Sequence, residues 1–211
     1  MNDPIIIIGF DPGETTGYAR IHLVNTKIEV WDYGLIPIKS DKFYSNISDW
    51  IENYYETFRI NETQTVFAVE APLPRGIIAG GQVKSDEVRG IIKAIAEKYG
   101  IKYFLYQATS VKKSFGSGRY TKAQLRRVVQ MILKTGTLKS PDVADALAVA
   151  TCCALREFRA DLDMEGTYQP PPKEKMKKKK MTDYSDEEIE RAVKEGRAVM
   201  KGKRIIKIVE S

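Results

Sequence analysis

The stretch IIIIGFDPG, residues 5–13, decides how the rest of the chain is read. Ile5, Ile6, Ile7 and Ile8 leave no polar face, the pattern of a strand buried on both sides of a sheet. Asp11, Pro12 and Gly13 follow with turn chemistry, which places Asp11 at the C-terminal end of that strand. Residues 18–24 and 27–38 then read as two further strands. A short turn at Asn25 and Thr26 joins them, so the opening forms an antiparallel meander.

Beyond the meander the period changes from two to three and four. Ile47, Trp50, Ile51, Tyr54, Tyr55 and Phe58 give one apolar helix face. Residues 65–69 are a strand that ends at Glu70. Val88, Ile91, Ile92, Ile95 and Tyr99 mark a second amphipathic helix, closed by Gly100 at its C′ position and followed by a strand over residues 101–106. Leu125, Val128, Val129, Ile132 and Leu133 mark a third helix. Pro141 opens a fourth, alanine-rich through Ala154. Five strands and four helices make an α/β domain over residues 1–160, with a mixed five-stranded sheet flanked by helices.

The remainder differs in composition. Residues 161–184 hold the prolines Pro170, Pro171 and Pro172 and a lysine-rich run, a linker pattern. Residues 185–211 form a small C-terminal element. There Ser185 and Glu188 make a capping box for a helix to about residue 200, and residues 204–209 read as one lone strand. The lysine run over residues 177–180 fits a solvated linker slightly better than a DNA-gripping arm. The tail from Asp161 carries 13 Lys and Arg against 11 Asp and Glu, so +4 of the total +6 lies in the main domain. A mildly basic balance favours an acidic partner such as nucleic acid without deciding it.

Composition also excludes some classes. The only cysteines, Cys152 and Cys153, are adjacent on a helix, so they cannot bridge or form a ligand pair, and they read as packing residues in a reducing compartment. His22 is the only histidine, which leaves little from which to build a histidine metal site or a histidine-based nucleophile. No apolar run approaches the roughly 20 residues of a membrane span and no signal peptide is evident. A cytoplasmic location is expected, in a bacterial cell or a phage-infected host.

Four carboxylates have one plausible meeting point. Asp11 and Glu70 each end a buried strand, and in open α/β sheets ligands bind at such ends. Asp142 and Asp145 are three apart at the start of the fourth helix, on one face, where the positive helix terminus favours their charged form. Clustered carboxylates raise one another's pKa unless a cation neutralises them, and oxygen-only ligands suit Mg²⁺ or Mn²⁺ better than zinc. Two such ions about 4 Å apart would serve in-line hydrolysis of a phosphodiester, leaving 5′-phosphate and 3′-hydroxyl ends. Taken singly, each residue has a plainer reading: Asp11 as a turn residue, Glu70 as a strand-end charge, Asp142 and Asp145 as helix N-terminal charges.

With these residues in place, the chain resembles the RuvC family of Holliday junction resolvases, whose fold is RNase H-like. GFDPGETTGYA at residues 9–19 is similar to the family's first motif, with Asp11 as its metal-binding aspartate. VEAP at residues 69–72 carries the second acidic residue, Glu70, and PDVADALAVA at residues 141–150 resembles the last motif, with Asp142 and Asp145. SVKKSFGSGRYTKAQL at residues 110–125 resembles the basic segment, with Lys112 and Lys122 on the family's DNA-facing or catalytic lysines. Lys112, Lys113, Arg119, Lys122 and Arg126 offer cations to a phosphate backbone, although the same residues fit a solvated loop and helix face.

Where the family carries an aromatic after the second acidic residue, this chain has Leu73, an apolar wedge, followed by Arg75. The resemblance implies a two-metal, Mg²⁺-dependent endonuclease, with Mn²⁺ able to substitute, acting on branched DNA and above all on the four-way junction. It also implies a homodimer, because two matched nicks need a twofold enzyme. The helix over residues 83–99 is the candidate interface, although packing on its own sheet explains its apolar stripe equally well. A broader branch or flap nuclease and a non-cleaving DNA-binding module are the competing readings.

Overall fold

The structure, a computed structural model, describes residues 4–38, 42–57, 64–72, 82–162, 198–201 and 204–208. Strands β1 (Ile5–Asp11), β2 (Gly17–Val24), β3 (Lys27–Leu35), β4 (Thr65–Glu70) and β5 (Lys102–Tyr106) form one sheet in the order β3-β2-β1-β4-β5. β1 is central, antiparallel to β2 and parallel to β4. Its isoleucines divide as a period of two requires. Ile7 faces a core shared with Ala19, Ile21 and Ala68, while Ile6, Ile8 and Phe10 face Phe67 and Val69 on the other side.

Helices α1 (Phe43–Thr57) and α2 (Gln82–Lys98) cover the second face. α1 buries Ile47, Ile51, Tyr54 and Tyr55, as its periodicity predicts. Beneath it the Asp32 carboxylate accepts from the Tyr18 and Tyr54 hydroxyls at 3.3 and 2.9 Å. α2 buries Val88, Ile92, Ile95 and Ala96 on its own sheet and leaves Val83, Gly90 and Ala94 exposed. Gly100 ends α2 at φ 67°, and the Ile101 amide donates to the Ala96 carbonyl at 2.8 Å, the six-to-one bond of a Schellman closure.

The first face is covered by α3 (Ala108–Ser114), α4 (Lys122–Leu133) and α5 (Pro141–Glu157). Thr121 and Gln124 form a capping box at the start of α4. Ser140 caps α5 ahead of Pro141, and every residue from 143 to 154 of α5 is buried. That depth requires small partners. A Cβ on Gly9 would lie 2.3 Å from the Ala146 carbonyl oxygen, and one on Gly17 would lie 2.2 Å from that of Asp142. Cys152 and Cys153 are buried free thiols within this packing. His22 lies in β2, its ring stacked on Trp31 at 4.2 Å between centroids.

Three expectations need correction. α3 is a fifth helix where the sequence suggested only a basic loop leading into α4; its seven residues bury Val111 alone, too short a pattern for periodicity. β3 ends at Leu35 and not at residue 38, because Pro37 cannot donate to a ladder. In the C-terminal element, residues 198–200 belong to strand β6 (Ala198–Lys201) and not to a helix. β6 pairs antiparallel with β7 (Arg204–Ile208), so the expected lone strand has a partner. Only two residues separate these strands in sequence, the spacing that hairpins favour. The rest of that expected helix lies outside the described residues.

The chain divides into two compact units, Met1–Gln169 and Pro170–Ser211. Asp161, where the basic linker was expected to begin, still bonds to the first unit: its amide donates to the Thr26 carbonyl at 2.8 Å. Among the described residues no helix is long and apolar enough to cross a membrane.

Candidate active site

Parallel pairing of β1 with β4, with Phe10 opposite Val69, brings the ends of the two strands side by side. Asp11 and Glu70 therefore meet, and α5, pressed against both strands, adds Asp145 from its second turn. One carboxylate oxygen from each of the three lies within 4.8 Å of the others. Each side chain sits on an element whose position the core fixes.

Burial, the Glu70 charge and a hydrogen bond to Glu70 push the Asp11 carboxyl up to about 9, with Asp145 adding to the rise and Lys122 opposing it. Without a cation, Asp11 thus keeps its proton at neutral pH and shares it with Glu70. Burial also raises Asp145, against the pull of Lys122. The Lys122 ammonium stands 3.0 Å from Asp145 Oδ2. Burial lowers its pKa, but Asp145, Asp11 and Glu70 outweigh this and hold it charged. Lys112 and Lys122 line one small cavity with Glu70 and Asp145.

Asp142 is not among the three converging groups. Its Oδ2 accepts from the Thr15 hydroxyl at 2.5 Å, and its charge raises Asp145, so it stands beside the cluster. Lys112 and Lys113 lie in the last turn of α3, Arg119 on the connection to α4, and Lys122 and Arg126 on α4. Leu73 and Arg75 lie outside the described residues. Two supporting groups escape a reading of the sequence. One is Thr15; the other is Arg89 of α2, whose Nε donates to the Glu70 carbonyl at 2.7 Å and ties down the end of β4. A cation on the otherwise apolar side of α2 was the only available hint of Arg89.

The Asp11 shift sets a pH dependence. Its carboxyl titrates far higher in the folded chain than the ordinary 3.8, so the stabilisation from the neutral form is complete below about pH 4 and lost as pH rises through about 9. Asp11→Asn is expected to flatten that loss, because Asn donates to Glu70 without titrating. At pH 8 in metal-free buffer the variant should melt above wild type by roughly 4–8 °C, about 2 kcal/mol for a chain of this size. Parallel melting curves for the two proteins from pH 6 to pH 9 would refute this account.

The sequence profile of the family described as crossover junction endodeoxyribonuclease RuvC matches residues 7–153. The chain belongs to the RuvC family. RuvC of Petrotoga mobilis is 31% identical over 155 residues, covering 70% of this chain and 92% of that protein. RuvC of Ruminiclostridium cellulolyticum is 34% identical over 155 residues, at 70% and 90% coverage. Two solved Thermus thermophilus RuvC structures share the fold. One has a TM-score of 0.59 at 19% identity, covering 74% of this chain and 97% of that one. The other, a complex with a Holliday junction substrate, has a TM-score of 0.61 at 18% identity, covering 75% and 98%. The RuvC match ends within α5, so β6 and β7 lie beyond the matched residues.

Proposed function

We propose that the chain resolves four-way DNA junctions as a homodimer in the cytoplasm, hydrolysing one phosphodiester in each of two strands to leave 5′-phosphate and 3′-hydroxyl ends. Mg²⁺, replaceable by Mn²⁺, serves as the cofactor, with two ions per site. The observation that carries this reading is the convergence of Asp11, Glu70 and Asp145 at the ends of β1 and β4 and the start of α5. A carboxyl held protonated to about pH 9 by burial and by its acidic neighbours is a group awaiting a cation, and a donor set of oxygens alone suits a hard one.

Asp11, Glu70 and Asp145, with Asp142 beside them, would hold the ions. When bound, such ions polarise the phosphate and acidify a water ligand. The chain's own residues do the rest. Asp11 would hold a cation as a carboxylate, releasing to solvent the proton it otherwise keeps. Lys122 steadies Asp145 and presents a cation to the scissile phosphate, and Lys112 lines the same cavity. Lys113, Arg119 and Arg126 extend positive charge along α3 and α4 for the flanking backbone, and Leu73 and Arg75, which follow Glu70 in sequence, would add further DNA contacts. The outward side of α2, with Val83, Gly90 and Ala94, supports the dimer contact.

Cleavage of a synthetic immobile four-way junction in Mg²⁺, beside linear duplex, flap and fork controls, tests the proposal. Paired symmetric nicks in the junction alone are expected. Equal cutting of flaps would replace the reading with a broader branch nuclease, and binding without cutting would reduce it to a junction-binding module.

A further inference from the structure

Thr15 is exposed, yet its hydroxyl is the side-chain link between the turn after β1 and the start of α5, 127 residues away. The turn that presents it is braced on several sides. Thr16 Oγ1 donates to the Gly13 carbonyl at 3.0 Å, and Lys84 of α2 pairs with Glu14 at 2.7 Å. The Gly17 backbone lies so close to Asp142 that a Cβ there would meet its carbonyl group. On the other side, the Asp142 amide donates to Ser140 Oγ at 3.2 Å, which fixes the Asp142 main chain. Only the rotation of the Asp142 side chain is left open, and the Thr15 hydroxyl sets it.

We infer that Thr15 is a positioning residue that holds Asp142 for the cation site: it occupies Oδ2 and leaves Oδ1 free to complete the set made by Asp11, Glu70 and Asp145. The inference rests on the cation site proposed above. Asp142 and Asp145 are three apart on α5 and share a face, which puts the Asp142 carboxylate beside the trio. Without the hydroxyl, a carboxylate in the first turn of a helix has competing donors in the unpaired amides of that turn. It would then turn back to cap its own helix. Partners that orient a ligating carboxylate typically set metal affinity by 10- to 100-fold.

The test is a Mn²⁺ titration followed by electron paramagnetic resonance, without DNA, on full-length wild type, Thr15→Val and Thr15→Ser. Junction cleavage is measured beside it across a range of Mg²⁺ concentrations. Thr15→Val should bind Mn²⁺ about tenfold or more weakly and need correspondingly more Mg²⁺ for half-maximal cleavage, with a rate at saturating Mg²⁺ within about threefold of wild type. Thr15→Ser keeps the donor and should restore both. Thr15 is exposed, so the melting temperatures should match. Unchanged Mn²⁺ affinity in Thr15→Val overturns the inference, and a lower saturated rate at unchanged affinity would make Thr15 a DNA contact instead. Failure of wild type to bind Mn²⁺ would overturn the cation site itself, a result distinct from any difference among the variants.

Discussion

Asp145→Asn should cut a four-way junction at least about 10³-fold more slowly than wild type, a loss of roughly 4 kcal/mol of transition-state stabilisation. Asp145 is the only member of the converging trio that comes from a helix, so without its charge the oxygens on β1 and β4 have no partner across the site. Asn has the same shape and keeps one acceptor oxygen, so packing on α5 should hold and junction binding should persist. Single-turnover cleavage with protein in excess isolates the chemical step, and a gel-shift titration reports binding. Asp11→Asn should lose as much, and the double variant little more, because ligands of one site act as a unit. Cleavage by Asp145→Asn within tenfold of wild type would remove the carboxylate cluster from the mechanism.

Gly9→Ala should destabilise the fold by roughly 2–4 kcal/mol, lowering the melting temperature by about 4–16 °C. The added methyl would lie 2.3 Å from the Ala146 carbonyl oxygen and 2.8 Å from Ala150 Cβ. Neither can rotate away, so α5 itself has to move off β1. Because α5 carries Asp145, the same shift separates it from Asp11, and divalent-cation binding should weaken along with stability. Gly90→Ala, on the outward side of α2 with nothing among the described residues of its own chain within 4 Å of the new methyl, leaves the packing of α5 on β1 unchanged and should gain up to about 1 kcal/mol of helix stability within the protomer. Urea unfolding of the two variants reads both effects, and a Gly9→Ala protein as stable as wild type would show that the close approach of α5 to β1 is not needed.

The difference between these two glycines marks where sequence reading stops. Gly9 and Gly90 look alike in the chain, and only the contact of α5 with β1 makes one of them indispensable. The isoleucine run, the Asp11 turn, Gly100 and Pro141 each act through their immediate neighbours, so the five strands and four of the helices could be read from local pattern. α3 could not be, since it has one buried side chain and Gln107 provides no side-chain cap. At the site, strand ends and helix spacing pointed to Asp11, Glu70, Asp142 and Asp145, of which the first two and the last converge while Asp142 stands beside them. The hydrogen bond that Asp142 makes depends on Thr15, and the hold on β4 depends on Arg89. Both partners are distant in sequence and belong to no repeating pattern. In the C-terminal element the helix expected from the capping box runs to about residue 200, where β6 stands instead, because a start signal carries no information about an end point.

α5 gives the cutting and gripping halves of the protein different freedom to change. Its carboxylates emerge from a helix with no exposed residue between 143 and 154, so any substitution that displaces them also disturbs the core. Lys113 and Arg119 are exposed and Arg126 half-buried on α3, α4 and the connection between them, and exchange of these side chains leaves the sheet untouched. The outlying cations can therefore change which DNA shapes are held without touching the hydrolytic centre, and an engineer seeking a new substrate preference should vary Lys113, Arg119 and Arg126 and leave Lys122, the buried side chains of α3 and α4, and α5 alone.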